Sequence, residues 1–76
     1  MKELIDYIAR GLVDDPDSVD VTTHQDGDTL VVELEVDEDD LGKVIGKKGR
    51  TAKAMRTVLS AAAALHGKRA ALDIIE

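Results

Sequence analysis

Cysteine, phenylalanine and tryptophan are absent from this chain of 76 residues, which has a single proline and a single tyrosine. Without cysteine there is neither a disulfide framework nor a thiolate metal site, and the composition fits a reducing cytoplasm. Without large aromatic rings, the core must be built from Leu, Ile, Val, Ala and Met. Small disulfide-stapled folds and zinc-ribbon folds are therefore excluded.

Long hydrophobic runs are also absent. No stretch approaches the roughly 20 apolar residues that a membrane helix needs. The N-terminal MKELIDYIAR has an acid at its third position and no uninterrupted apolar segment, so it does not have the pattern of a signal peptide. These features predict a soluble, intracellular, single domain without a membrane partner. Its stability should be modest, because a chain this short buries only roughly 60–65% of its unfolded surface.

Charge is distributed unevenly along the chain. Residues 1–40 have 14 acidic and 2 basic side chains, whereas residues 41–76 have 8 basic and 2 acidic ones. Their balances of -12 and +6 give the formal net charge of -6. A chain polarised in this way can present one basic face to an anionic ligand although the whole protein is acidic. The alternative is that the segregation is accidental and both faces are merely solvated.

The first half of the chain predicts a helix followed by a β-hairpin. Apolar side chains at helical spacing indicate an amphipathic helix over residues 2–13, with an apolar face formed by Leu4, Ile5, Ile8 and Leu12. The helix is expected to end in DDPDS, because the residue before a proline is disfavoured in a helix. The runs VDVTTHQ and TLVVELEV flank DGD, where Asp26-Gly27 suits a tight turn. Alternation of apolar residues in the second run predicts one buried face.

The second half predicts two helices and a closing strand. DEDD at residues 37–40 is typical of a helix N-terminus, and the short helix it opens is expected to stop at Gly46. A longer helix should begin near Arg50 and end at Gly67, before the strand RAALDII. Its predicted apolar stripe consists of Ala52, Met55, Val58 or Leu59, Ala62 and Leu65. The resulting order, helix-strand-strand-helix-helix-strand, indicates an α+β fold.

The segment IGKKGR joins the two predicted helices. Gly46 and Gly49 lack Cβ atoms, so the connection can be tight and a ligand backbone can approach closely. The N-terminus of the following helix adds unpaired N–H groups and the positive end of its dipole. At a two-residue tip, Lys47 and Lys48 should remain in solvent. The positive surface is extended by Lys43, Arg50, Lys53 and Arg56. This pattern predicts an anion site long enough for a chain of phosphates.

Other kinds of site match the sequence poorly. GKVIGKK is one residue short of the P-loop pattern and has Lys48 where the hydroxyl for Mg²⁺ should be. The acidic runs lack the spacing of an EF-hand, and neither His24 nor His66 has a second His or Cys nearby in sequence to build a metal site. No serine or threonine has both a local base and a group that would orient it, so no nucleophile is indicated. We therefore expect no enzyme activity, metal, cofactor or small-molecule substrate.

The segment VIGKKGRTAKAMR resembles the signature of the K-homology (KH) domain, which has a Gly-x-x-Gly loop between two helices. The order of elements is similar to that of the bacterial, type II version, and the whole chain resembles the small stand-alone KH proteins of the KhpA family. The resemblance implies one type II KH domain over residues 1–76, with a three-stranded sheet packed on one side by three helices and a GxxG loop at residues 46–49.

The resemblance also implies a binding site for single-stranded RNA. The GxxG loop would clamp the backbone of about four unpaired nucleotides, and a narrow apolar groove would hold the bases. Ala52 departs from many KH signatures, which have isoleucine or a similar residue there. This departure should make the groove shallower or shift packing onto Met55. The implied RNA-binding residues are Lys43, Val44, Ile45, Gly46, Lys47, Lys48, Gly49, Arg50 and Lys53.

The scarcity of aromatic residues shapes the expected mode of recognition. RRM and OB-fold proteins stack bases on aromatic side chains, whereas here Tyr7 alone is available, and partial burial on the first helix is expected for it. Binding would then rest on phosphate contacts, van der Waals contacts and backbone hydrogen bonds. We expect low sequence specificity and a strong dependence on salt.

The family resemblance implies an RNA chaperone or post-transcriptional regulator in the bacterial cytoplasm. It further implies a partner, a larger multidomain KH protein of the KhpB or Jag type, and the pair is linked to cell elongation and envelope homeostasis. Because one small domain binds few nucleotides and a second site would raise the effective concentration, we expect a homodimer, a heterodimer with such a partner, or both. The alternative is a KH-like protein-interaction module that dimerises through a helix face or a sheet edge and has little RNA affinity, because its acidic half repels nucleic acid.

Overall fold

The computed structural model describes all 76 residues and contains the predicted order of elements. The helices are α1 (Lys2–Leu12), α2 (Leu41–Ile45) and α3 (Arg50–Leu65), and the strands are β1 (Asp20–Asp26), β2 (Thr29–Glu35) and β3 (Arg69–Ile74). Three short 3-10 turns, at residues 16–18, 38–40 and 47–49, precede β1, α2 and α3 respectively. None of the helices is long and apolar enough to cross a membrane.

The sheet has the order β1-β2-β3 and is mixed. β2 pairs antiparallel with β1 and parallel with β3, which leaves β3 at an edge. In the hairpin turn, Gly27 has a φ of +60° and is followed by Asp28, which has no positive φ, so the turn has the pattern of type II′. The two central residues therefore lie one position later than the Asp26-Gly27 pair predicted from the sequence.

The core lies between the sheet and the helices and contains thirteen buried apolar side chains. As predicted, the inward face of β2 is formed by Val32 and Leu34, both fully buried. α1 contributes Ile5 and Ala9, and the contribution of α3 consists of Ala52, Met55 and Leu59. Because all of these side chains are aliphatic or thioether groups, the core is held by area burial and close packing, without aromatic contacts.

Both ends of the α2–α3 region are fixed by local hydrogen bonds. The carboxylate of Asp37 accepts from the backbone N–H of Asp39 at 2.9 Å, which is the predicted helix-start contact. At the C-terminus of α3, the N–H groups of Gly67 and Lys68 donate to the carbonyls of Ala64 (3.0 Å) and Ala63 (2.9 Å). With Gly67 at φ +67°, this is a Schellman cap, and it sets the position from which β3 begins.

Two predictions about side-chain burial are wrong. Tyr7 was expected to be partly buried but is 80% exposed, because α1 turns Ile5 and Ala9 toward the core. Leu65 was placed in the buried stripe of α3 but is 87% exposed. The buried stripe of α3 continues from Leu59 to Ala63, and Leu65 lies two residues further, about 200° around the helix.

Candidate nucleic-acid interface

The connection between α2 and α3 is a compact turn in which three of four residues have positive φ angles. Gly46 ends α2 with φ +77° and ψ 171°, and Lys48 and Gly49 follow at φ +58° and +74°. The N–H of Gly49 donates to the carbonyl of Gly46 at 3.1 Å, so the turn closes on itself. α3 has no side-chain cap, so its positive dipole end faces the turn without a carboxylate to neutralise it.

The two glycines are required for different reasons. A Cβ atom at Gly46 would overlap the side chain of Thr51 and lie 2.8 Å from the backbone nitrogen of that residue. At Gly49 a Cβ atom would meet nothing within 4 Å, so the left-handed conformation alone favours glycine there. Thr51 was missed in the sequence because nothing in its residue type indicates that it packs against the start of the loop.

Four of the predicted cationic residues surround this turn and are exposed: Lys47, Lys48, Arg50 and Lys53. None of their charged groups takes part in the ion pairs or side-chain hydrogen bonds of the chain. Their charges are therefore fully available to an anion in solution. In combination with the helix dipole, they give this end of α3 a positive surface.

Lys43, also predicted as a binding residue, has a different environment. Its ammonium group donates to the carboxylate of Asp14 at 2.8 Å and to that of Asp40 at 3.1 Å. The hydrogen bonds that Lys43 donates to Asp14 and Asp40 raise the pKa of Lys43, an effect only partly opposed by burial. The structure thus places Lys43 in an ion-pair network with two acids, apart from the four unpaired cations.

Asp40 anchors this network and is the only buried charged side chain, with 2% of its surface exposed. Its carboxylate accepts from the backbone N–H of Asp15 at 3.0 Å as well as from Lys43. Burial raises the pKa of Asp40, but the hydrogen bonds from Lys43 and from the backbone of Asp15 and Asp14 outweigh burial and hold that pKa below its ordinary value. Asp40 therefore ties the start of α2 to the segment that follows α1.

The remaining predicted residues lie under or beside the turn. Val44 is fully buried, so its side chain supports the surface from beneath, whereas Ile45 is half-buried. On α3, the guanidinium Nε of Arg56 donates to the backbone carbonyl of Leu72 at 3.4 Å. Arg56 thus links the basic side of α3 to the free edge of β3.

No group of three or more potential metal ligands is present in the described chain.

The opposite side of the molecule is acidic. By the strand register, the outward face of the sheet contains Asp20, Asp26, Glu33, Glu35 and Asp73. The imidazole Nδ1 of His24 lies 3.0 Å from the carboxylate of Glu33 on this face. Because three helices cover the other face of the sheet, the negative and positive surfaces point in different directions. The acidic and basic residues that are separated along the sequence therefore also form separate surfaces in the folded chain.

This combination of mixed sheet, helix order and Gly-x-x-Gly turn defines a type II KH fold. Residues 2–74 match the family described as "KhpA/KhpB, KH domain", and the chain belongs to that family. The family is non-enzymatic. Membership confirms the resemblance stated from the sequence and the α+β fold class.

The curated relatives match over nearly their whole length. The chain is 57% identical over 76 residues to "RNA-binding protein KhpA" of Halalkalibacterium halodurans, with 100% of both chains covered. It is 49% identical to the protein of the same name from Clostridium acetobutylicum, which covers 99% of this chain and 100% of the relative. The protein of that name from Aquifex aeolicus is 47% identical, with 100% of this chain and 96% of the relative covered.

Among solved structures, the chain is similar to Era. A structure of Aquifex aeolicus Era bound to GDP and AlF4⁻ matches with a TM-score of 0.63 and 21% identity, and this likeness concerns the fold. Era in complex with MgGDPNP and nucleotides 1506–1542 of 16S ribosomal RNA matches with a TM-score of 0.60 and 25% identity. In both cases the match covers 96% of this chain and 28% of the Era chain.

Proposed function

We propose that this chain binds single-stranded RNA and that the Gly46–Gly49 turn clamps the sugar-phosphate backbone. The observation that carries the proposal is the set of unpaired cations around the turn, formed by Lys47, Lys48, Arg50 and Lys53 in a chain whose net charge is -6. An acidic protein that leaves four neighbouring cations without partners has a local field suited to a polyanion. Relatives named as RNA-binding proteins and an Era structure containing ribosomal RNA support the choice of RNA.

The backbone of the turn offers groups that phosphates could contact. Gly46 and Gly49 expose peptide groups that no Cβ atom shields, and α3 directs its dipole toward the same space. A row of phosphates can then lie against the turn with Lys47 and Lys48 beside it. Because the aliphatic side chain of Ile45 beside the turn is half-buried, and the single aromatic residue, Tyr7, lies on α1, base recognition should be weak compared with backbone binding.

The contribution of the clamp is tested with charge-reversal variants. We expect Lys47→Asp/Lys48→Asp to abolish retention of a short unstructured oligoribonucleotide, since like charges would replace favourable ones along the backbone. Aspartate tolerates the left-handed conformation of position 48 better than most residues, so the melting temperature should stay nearly unchanged. Fluorescence anisotropy in dilute buffer measures binding, and circular dichroism measures the fold.

A matched control separates local from global charge. Lys48→Asp and Lys2→Asp change the net charge by the same amount, but Lys2 lies on α1 and outside the site. The clamp is supported if Lys48→Asp loses affinity for RNA and Lys2→Asp does not. If RNA binding survives in the double variant, or if both single variants weaken binding equally, the clamp is wrong.

Within this function, the chain would act as an RNA chaperone or post-transcriptional regulator in the bacterial cytoplasm. Weak base recognition suits a protein that meets many transcripts, because phosphate contacts do not depend on sequence. Crosslinking in cells followed by sequencing of the bound RNA tests this role. We expect many unrelated transcripts to be recovered, and recovery of a single transcript would contradict the proposed low specificity.

A second function, dimerisation, is favoured by an exposed apolar stripe on α3. Val58 is 44% exposed and Leu65 87% exposed, and they share a line along the helix with exposed Ala54 and Ala61. The spacing of these four residues, i, i+4, i+7 and i+11, is that of a helix–helix seam. A second copy, or a larger multidomain KH protein of the KhpB type, would bury this stripe. Dimerisation would also strengthen RNA binding by raising the effective concentration of the second site.

The stripe is tested by sedimentation velocity at micromolar concentration. We expect a dimer for the unaltered chain, a monomer for Leu65→Glu, and a dimer for Ser60→Glu, which places the same charge on the same helix away from the stripe. An unaltered protein that is monomeric, or a Leu65→Glu variant that remains dimeric, would contradict self-association through this surface.

A further inference from the structure

A groove lies at the end of the sheet where the parallel strands β2 and β3 finish, beside the start of α2. It has a volume of about 430 Å³ and is lined by Glu35, Val36, Glu38, Leu41, Ile75 and Glu76. Three of these side chains are aliphatic and three are carboxylates, and no cation lines the groove. The residues of the glycine turn are not among them. The groove is therefore a surface separate from the proposed RNA site.

The apolar part of the groove is open to a ligand. Val36 and Leu41 pack against the edge of the core but are only half-buried. Ile75 is 39% exposed and is not part of the core cluster. Because the N–H of Ile75 donates to the Leu34 carbonyl at 2.9 Å, strand pairing continues to this residue, and alternation places its side chain on the same outer face as Asp73. An exposed isoleucine held in an extended strand offers a fixed apolar contact.

The carboxylates of the groove have no partner in the chain. Glu35, Glu38 and Glu76 are exposed, and none of them takes part in an ion pair or a side-chain hydrogen bond. They do not form a group that could hold a metal ion. Separate, unpaired negative charges around an apolar floor are complementary to an extended ligand that has several positive charges.

The negative surface continues from the groove onto the outer face of the sheet. Asp20 lies directly opposite Glu35, and Glu33 lies beside Asp73. Like charges in such positions destabilise a sheet. The three strands contain no lysine, and their one arginine, Arg69, lies at the far end of the sheet from the groove. The fold therefore keeps these acids in spite of their mutual repulsion, and a cationic partner would relieve that repulsion.

We propose that this groove binds a segment of a partner protein in which apolar side chains are flanked by lysines or arginines. The apolar side chains would contact Val36, Leu41 and Ile75, and the basic ones would pair with the surrounding glutamates. Electrostatics argue against RNA as the occupant, because unpaired carboxylates repel phosphates. The inference goes beyond the proposed function and does not depend on it, since the groove shares no residue with the glycine turn.

A second copy of this chain fits the groove less well than a partner protein does. The largest group of unpaired cations in the chain surrounds the glycine turn, so the turn of one copy would have to enter the groove of the next. Such a head-to-tail contact produces rings or open chains of molecules. It would also take the cations of the turn away from RNA. A partner with its own basic segment has neither consequence.

The test uses the full chain and a capped peptide with the sequence Arg-Lys-Leu-Leu-Lys-Arg as the probe. A matched peptide, Arg-Lys-Ser-Ser-Lys-Arg, has the same charge without the apolar side chains. NMR titrations of the isotopically labelled protein follow binding through the backbone amide signals.

The test variants are Glu38→Gln, which removes one charge of the groove, and Ile75→Thr, which keeps a β-branched side chain but makes it polar. The control is Asp17→Asn, which removes a likewise exposed and unpaired acid from another 3-10 turn. Circular dichroism checks that each variant is folded.

We expect the leucine peptide to shift the amide signals of residues 35–41, 75 and 76. It should bind roughly tenfold more tightly than the serine peptide, because only its side chains transfer apolar surface out of water. Glu38→Gln should weaken the binding of both peptides several-fold more than Asp17→Asn does. Ile75→Thr should weaken the binding of the leucine peptide and leave that of the serine peptide unchanged.

Several results would overturn the proposal. If neither peptide shifts the signals of the groove, or both bind equally well, the surface is acidic without being a docking site. If Glu38→Gln and Asp17→Asn weaken binding equally, the peptides respond to net charge alone. If the unaltered protein forms species larger than a dimer in dilute buffer, and Lys47→Asp/Lys48→Asp disperses them, the occupant of the groove is a second copy. None of these measurements includes RNA, so their failure would leave the RNA-binding proposal standing.

Discussion

Lys43 and Lys48 lie five residues apart in the same basic stretch, yet the structure gives them opposite environments. Lys43 is paired with Asp14 at 2.8 Å and Asp40 at 3.1 Å, whereas Lys48 stands at the tip of the turn with no partner. One charge stabilises the fold, and the other is free to meet a ligand. The comparison shows that a cluster of like charges in a sequence can contain side chains with unrelated roles.

The difference arises from the direction in which each element leads. α2 begins beside the acidic segment that follows α1. Lys43, the third residue of α2, therefore lies within hydrogen-bond distance of the carboxylates of Asp14 and Asp40. The turn after α2 leads away from that segment, and its lysines meet only solvent. Of the six basic residues between positions 42 and 56, Lys43 is ion-paired and Arg56 bonds to a backbone carbonyl. Four remain available.

The largest effect on stability should come from substituting the two glycines of the turn that separates Lys43 from Lys48. We expect Gly46→Ala to lower stability by about 1–3 kcal/mol for the backbone conformation alone, with a further loss from overlap with Thr51. Gly49→Ala should cost about 1–2 kcal/mol, because its position is left-handed but open. Chemical denaturation measures both. Equal losses would show that the contact with Thr51 does not distinguish the two glycines.

Neutralising Lys43 and Lys48 separately should have different effects on stability and on RNA binding. Lys48→Ala should make the salt dependence of RNA binding shallower by roughly 0.7 in slope and leave the melting temperature nearly unchanged. Lys43→Ala should lower the melting temperature, because Asp40 would be buried without its cation, and it should leave the slope unchanged. Both variants alter the net charge equally. If Lys43→Ala also reduced the slope, its ammonium would be part of the binding surface.

The smallest effect concerns pH. The pKa of Asp40 is held below its ordinary value of 3.8, so its ionised form contributes stability above that pH and loses it as pH falls through the folded-state pKa. Lys43 has a raised pKa, so the pair stays intact up to at least its ordinary value of 10.5. We expect Asp40→Asn to melt below the unaltered chain at neutral pH, with the gap closing in acid below about pH 4. A gap independent of pH would contradict the ion-pair network.

Much of the fold could be predicted from local patterns. The order of elements, the Asp37 cap and the inward face of β2 follow from short-range chemistry that neighbouring residues determine by themselves. The glycine turn was predictable for the same reason. The parallel pairing of β2 with β3 was not predicted, because it depends on how a long connection crosses the sheet rather than on either strand.

The errors came from helix phase and from long-range partners. The predicted stripe on α3 repeated every three to four residues but ended at Leu65, whereas the buried residues follow a slightly longer period through Leu59 and Ala63. Over sixteen residues this difference turns the last side chain to the opposite face. The burial of Asp40 and its contact with Asp15, twenty-five positions away, have no signal within either local segment.

One consequence of the acidic outer face of the sheet concerns events before any contact is made. With carboxylates on that face and unpaired cations around the turn, the molecule has an electric dipole moment that a distant polyanion can rotate. Such a molecule would approach a nucleic acid already turned, with its cationic end leading, and collisions in other orientations would be repelled. Association should therefore be faster in dilute buffer than the small cationic surface alone would allow, and this advantage should fade over a Debye length of about 8 Å at physiological ionic strength.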